Sequence, residues 1–397
     1  MTTFRLVCRT CGTAREPGPV GYTCTACGGE LVVAYPGLAP VRPGATGMWR
    51  HQDRLPVSGD VVVSLGEGGT PLVPVAAEPL GVASALVKCE HLNPTGSFKD
   101  RIASVALSIA AERGLAGCVG TSSGNGGAAA AAYAARAGLA CVLFALADTA
   151  EQKLLQIRAL GASVHLVAGL GHDAAATDSA ARDIAALAAE CGLLPMLTGG
   201  RFSPEAMEGA TTIAFELAEE APRTTVVYAP VGGGGLLSAI GRGYGRMPAG
   251  PRLVAVQPAG CPTLGPALRG RFDGLSGPCT TGISGLQVAV LFDGAGAVEA
   301  VRGSGGHLTE VTDEQVHEAQ QELARQGVLV EPAGATAYAG ALADAAAGRL
   351  GPDDRVVLIA TGAGYKDSAA LGRLAGPKPA QRIEAHDIRK VLADVLR

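Results

Sequence analysis

From residue 100 onward, short apolar runs alternate with longer alanine-rich stretches. CVGTSS (118–123), ACVLFAL (140–146) and ASVHLVAG (162–169) read as buried strands. Between and after them, RIASVALSIAAERG (101–114), NGGAAAAAYAARAG (125–138), EQKLLQIRALG (151–161) and 173–191 read as helices. A second series follows, with strands TVVYAPV (225–231), RLVAVQP (252–258) and RVVLIATG (355–362). Its helices are read at 204–220, 236–245, 313–326 and 334–347. Parallel strands need a crossover connection, and this alternation supplies one. The expected class is α/β, with parallel sheets covered by helices.

The chain has 397 residues, so two or more domains are expected. No run of 18 or more apolar residues is free of Gly, Pro or charge, so no membrane span is expected. The start MTTFRLVCRTCG has no export-signal core, which places the protein in the cytoplasm. A net charge of −4 without a dense basic cluster argues against nucleic acid as partner. Six of the ten cysteines are scattered, mostly in apolar runs, and read as reduced core residues.

The other four lie in residues 1–35. Cys8-Arg-Thr-Cys11 and Cys24-Thr-Ala-Cys27 are two C-x-x-C knuckles with twelve residues between them. Four thiolates close a tetrahedral zinc shell and leave no open position, so a structural zinc ribbon is expected, not a catalytic metal. The stretch 36–47 then reads as a linker.

Three stretches carry chemistry. APVGGGGLLSAIG (229–241) is strand, four glycines, then apolar helix, the arrangement in which backbone N–H groups converge on a phosphate. TSSGNGGAAA (121–130) contains Gly124-x-Gly126-x-x-Ala129, with Asp148 ending the next strand. That is a loose dinucleotide fingerprint, so a nicotinamide oxidoreductase is a rival reading. Ser122, Ser123 and Asn125 instead suit a carboxylate and a ring hydroxyl. In HLNPTGSFKDR (91–101), Lys99 follows a turn built by Pro94 and Gly96 and precedes an apolar helix. Partial burial there lowers its pKa and frees the amine. A phosphate cradle plus such a lysine is the minimum apparatus for pyridoxal phosphate (PLP). Asp100 and Arg101 are expected to form a charge pair at the helix start.

These motifs resemble the fold-type II PLP enzymes, in the threonine synthase branch. MWRHQDRLPV (48–57), VSLGEGGTPLVPV (63–75), EGATTIAFELAEE (208–220), VEPAGATAYAG (330–340) and ATGAGYKDS (360–368) fall in that family's order. The resemblance implies two open, mostly parallel sheets with PLP in the cleft between them. It implies a large cofactor domain over 36–100 and 220–378, a smaller α/β domain over 101–219, and a C-terminal helix over 379–397. It implies that Lys99 bonds the cofactor and later moves a proton. Asn125 would bond the ring hydroxyl, Gly232, Gly233, Gly234 and Gly235 the phosphate, and Thr361 the pyridine nitrogen. Ser122, Ser123 and Gly124 would hold the substrate carboxylate, with Ser97 near its distal group. The implied reaction is phosphate elimination from O-phosphohomoserine followed by water addition, in a homodimer.

The substrate side departs from the pattern. Where the family carries an arginine that grips phosphate, this chain reads Ser203-Pro204-Glu205-Ala206-Met207, with Ala206 at the arginine position. Arg201 is the expected substitute, and Ser203, which with Pro204 makes a good N-cap and N1 pair, is an expected substrate contact. Gly126 replaces a threonine and Ala363 a histidine. These departures point to an activated amino acid other than O-phosphohomoserine, such as O-phosphoserine in the manner of cysteate synthase-like enzymes, or a specialised-metabolism substrate. A ribbon protein without catalysis is the remaining alternative, and it leaves Lys99, the glycine run and Thr361 unexplained together.

Overall fold

The computed structural model describes residues 4–395, apart from 19–21, 60, 123, 148, 150, 169–173, 198, 273, 275–276, 378–379 and 381. The larger sheet has six strands in the order Leu308–Val311, Arg252–Pro258, Val226–Pro230, Arg355–Ile359, Ser84–Lys88 and Leu72–Val75. All pairs are parallel except the last, where Pro74 stands opposite Leu86 on an antiparallel edge strand. The smaller sheet is wholly parallel, in the order Ser163–Val167, Ala140–Leu146, Gly117–Gly120 and Leu193–Pro195.

Successive side chains of a strand point to opposite faces, and both faces of the larger sheet are covered. Val227 and Ala229 enter one apolar core, while Val226 and Tyr228 enter another beneath the helices Asp313–Arg325 and Pro332–Ala346. The first core is continuous with that of the smaller sheet. Ile102 and Val105 of the helix Lys99–Glu112, Ala129 and Tyr133 of the helix Asn125–Ala137, and Cys118 and Leu143 all belong to it.

The expected α/β class with two parallel sheets holds, and the main alternating elements fall within a few residues of their expected positions. The expected helix 204–220 is broken into Pro204–Met207, a 3-10 turn Glu208–Thr211, and Thr212–Glu220. A Cβ on Gly209 would lie 2.0 Å from the Arg101 carbonyl oxygen, so the two backbones are in direct contact at the break. The strands Leu72–Val75, Ser84–Lys88, Leu193–Pro195 and Leu308–Val311 escaped the sequence reading, because each is short and is either interrupted or ended by proline or polar residues. Among the described residues of 379–397, where a helix is expected, the helix occupies Ile388–Val395, preceded by a 3-10 turn Ala385–Asp387.

Arg101 and Asp100 do not pair with each other. Asp100 accepts the Thr95 N–H at 2.6 Å and the Thr95 hydroxyl, which closes the turn in front of the helix. Arg101 is fully buried and binds Glu90 at 2.7 Å and Glu216 at 2.6 Å. Lys88 binds Glu216 and Glu220, each at 2.8 Å. Burial would raise the Glu216 carboxyl, but the Arg101 and Lys88 charges outweigh it and hold it well below the ordinary range. Removing one member of such a network strands a partner charge in a dry core. Arg101→Met is therefore expected to lower stability by about 3–5 kcal/mol, read from the denaturant midpoint.

Candidate active site

Lys99 is the first residue of its helix and follows a turn that only glycine fits. Gly96 has φ +90°, and a Cβ there would meet the Tyr365 hydroxyl at 2.5 Å. The turn is strapped to the end of the strand Arg355–Ile359. Phe98 N–H donates to Thr361 O at 3.1 Å and Ala363 N–H to Gly96 O at 2.9 Å. These two bonds set Lys99 and Thr361 on one wall. The Lys99 Nζ lies 4.8 Å from the Phe98 ring centroid, and no hydrogen bond or ion pair of the ammonium is found among the described residues. Burial pulls its pKa down to about 8.

One cleft brings together Lys99, Ser122, Gly124, Asn125, Gly232, Gly233, Gly234, Gly235 and Thr361. The glycine run leaves the buried strand Val226–Pro230 and enters the helix Gly235–Gly245. A Cβ would meet Val288 at 3.1 Å from Gly232, Phe292 at 3.2 Å from Gly233, and the Asp293 carbonyl oxygen at 2.9 Å from Gly234, whose φ is +90°. Side chains are thus excluded where unpaired N–H groups of the helix start face the cleft.

Other expected residues are placed elsewhere. Ser97 is buried behind the wall, 3.4 Å from the Lys99 N–H, and is not among the cleft-lining residues. Ser203 holds the N-cap position before Pro204, but its hydroxyl donates to Pro195 O at 2.6 Å and does not cap. Arg201 pairs with Asp178 at 3.2 Å and stacks on Phe202. Neither lines the cleft. Glu205 is buried against Arg113 and Ala206 is buried beside it, and neither lines the cleft. Ser123 and Asp148 lie outside the described residues.

Glu331 is a cleft residue to which the sequence analysis assigned no role. Glu331, just before the helix Pro332–Ala346, accepts the Asn125 Nδ2–H at 2.7 Å. Burial pushes its carboxyl up to about 7. Its signals in the sequence were a glutamate directly before a proline at a helix start and its place in the motif VEPAGATAYAG (330–340). Lys153 and Lys366 also line the cleft, and both bring positive charge toward Glu331.

The sequence of residues 63–362 matches the family model described as "Pyridoxal-phosphate dependent enzyme". The chain belongs to this family. It is 35% identical over 394 aligned positions to a threonine synthase of Methanocaldococcus jannaschii, covering 92% of this chain and 94% of that protein. It is 36% identical over 338 positions to a threonine synthase of Mycobacterium leprae, covering 82% and 89%. In structure it resembles the processed form of threonine deaminase isoform 2 from Solanum lycopersicum, with TM-score 0.65, 23% identity, and 91% and 92% of the two chains covered. The enzyme is thus a PLP-dependent lyase of the threonine synthase type with a fold-type II architecture. The nicotinamide alternative is left without support.

The residues present fit the cofactor: a side-chain-free cradle, an uncharged-prone amine and a hydroxyl, Thr361, share one cleft. The N-terminal cysteines fit zinc. Their sulfurs lie within 4.8 Å of one another, with separations of 3.4, 3.5 and 3.7 Å. A zinc tetrahedron with bonds of about 2.3 Å has sulfur–sulfur edges of about 3.8 Å. Among the described residues no helix is long and apolar enough to cross a membrane.

Two outcomes follow for Lys99. Cofactor-free enzyme is expected to take up PLP at a rate that rises about tenfold per pH unit and levels off above about 8, where an ordinary lysine would continue toward 10.5. Stopped-flow absorbance reads this directly. Borohydride treatment of the loaded enzyme fixes the cofactor to the Lys99 peptide by mass spectrometry, and Lys99→Ala abolishes that adduct.

Proposed function

We propose that the enzyme eliminates an O-linked phosphate from an activated amino acid and replaces it by β/γ chemistry, in the manner of threonine synthase. The observation that carries this is Lys99 itself. A half-buried amine with no hydrogen-bond or ion-pair partner among the described residues, in a glycine-cradled cleft, stands in a chain about one-third identical to proteins named threonine synthase. When bound, the cofactor supplies an electron sink for negative charge next to the amino group.

The chain's own residues do the rest. Gly232 to Gly235 hold the cofactor phosphate with main-chain N–H groups. Asn125, pinned by Glu331, faces the ring hydroxyl, and Thr361 the ring nitrogen. Ser122 and Gly124, at the head of the helix Asn125–Ala137, hold the substrate carboxylate, where the helix dipole favours an anion. Lys99, with its pKa pulled down by burial so that about a tenth of molecules hold it uncharged at pH 7, accepts and returns the proton. Cys8, Cys11, Cys24 and Cys27 hold a structural zinc ion.

The leaving phosphate needs cations, and Ala206 supplies none. Besides Lys99, the cations lining the cleft among the described residues are Lys153, Lys366 and Arg373. Lys366 already donates to Thr95 O at 2.7 Å and to Gln156 Oε1 at 3.1 Å, which orients its remaining N–H. Lysine offers a point charge, not the two-pronged fork of arginine, so it grips a dianion with less demand on shape. This favours a second reading, in which a shorter substrate such as O-phosphoserine is taken. Phosphate release is measured with O-phosphohomoserine and O-phosphoserine side by side. Release from O-phosphohomoserine with threonine formed supports the first reading, release from O-phosphoserine alone supports the second, and release from neither refutes both.

A further inference from the structure

The cysteine ribbon docks beside the cofactor loop, and nothing in the proposed chemistry uses it. Its strand Leu31–Ala34 packs on the short helix Pro204–Met207. Arg9, inside the first cysteine knuckle, grips both carboxylate oxygens of Glu299 on the helix Gly294–Gly303. Tyr35, where the ribbon ends, has the Arg246 guanidinium 3.9 Å from its ring centroid.

Under this dock lies a chain of buried charges that leads to the glycine loop. Glu208 is 1% exposed and accepts from Arg242 at 2.8 Å. Arg242 reaches the Asp293 carboxylate at 3.5 Å, and Asp293 is 3% exposed. Asp293 closes the back of the loop. Its N–H donates to Gly233 O at 2.9 Å, and its carbonyl oxygen is the atom that a Cβ on Gly234 would strike. Its neighbour Phe292 packs on Gly233 and lines the cleft. The seam that covers Glu208, Arg242 and Asp293 is lined on its other side by the ribbon residues Arg9, Glu30 and Leu31. An ion pair is several-fold stronger in a dry seam than in water, because the local dielectric is lower.

We propose that the metal-bound ribbon braces the cofactor site from behind: by covering Glu208, Arg242 and Asp293, it fixes the loop that receives the cofactor phosphate. The proposal rests on the reading of Gly232 to Gly235 as that phosphate site. Asp293 is a positioning residue, since it touches the loop and not the cofactor.

The test is PLP affinity of the full-length chain, titrated by visible absorbance, with zinc content and thermal melting followed alongside. Asp293→Asn keeps the shape and removes the charge. It is expected to weaken PLP binding about tenfold with zinc content unchanged. Stripping the metal with a chelator is expected to weaken it by a similar factor. The two together weaken it no further than the larger alone, because they act through one link. Unchanged affinity in Asp293→Asn, or two losses that multiply, overturns the proposal. If the stripped chain loses its fold, the double change Arg9→Gln and Tyr35→Leu loosens the dock with the metal retained, and unchanged affinity there overturns it equally. Gly234→Ala separates the two levels. If it leaves PLP affinity intact, the phosphate-loop reading fails. If it weakens affinity while Asp293→Asn does not, only the ribbon's role fails.

Discussion

Arg101 holds the molecule's two halves in register. It follows Lys99 by two residues, and its guanidinium is saturated by Glu90 beside the larger sheet and Glu216 on the helix Thr212–Glu220. Thr212 completes the shell at 2.9 Å. The network does not have to add net stability to matter. A buried charge with several fixed partners has one acceptable position, so the helix that begins at Lys99 cannot slide or rotate without stranding a charge. The fixed position of the Lys99 backbone is a by-product of that constraint. The same helix makes backbone contact with Gly209, so the two segments approach as closely as main chains can.

The cleft is built by the opposite strategy. Around Lys99 the described residues supply no hydrogen-bond or ion-pair partner, and at Gly232 to Gly235 side chains are withheld. Burial without a counter-charge lowers the pKa of the amine, and loss of Cβ atoms exposes main-chain donors. A saturated network thus stands directly behind an unsaturated cleft. Asn125 and Glu331 sit at the boundary, one side chain holding the other by a single bond.

Much of this was legible in the sequence, and the reasons are local. The alternation of β-branched runs with alanine-rich stretches reports burial period, which is a property of neighbours in the chain. The knuckles, the glycine run and the turn before Lys99 are likewise short-range patterns. What escaped depends on distant partners. Arg101 looked like a mate for Asp100, yet its partners are 11 and 115 residues away, and Asp100 is spent on Thr95. Ser203 and Arg201 stand near the right place in the chain, but Pro195 O and Asp178 capture them. The motif glutamate Glu67 shows the same limit. It accepts from the Trp49 indole, the Tyr133 hydroxyl and Ser104, which no spacing rule connects.

The edge strand Leu72–Val75 bears on how copies of the chain can meet. A free sheet edge invites another strand, and exposed edges are where unwanted association starts. Here the outermost strand runs antiparallel and carries Pro74, whose backbone has no N–H to offer. The strand is also only four residues long. This border of the larger sheet is therefore blunted against growth by strand addition. Any stable pairing of subunits on this side must be made by side chains packing face against face.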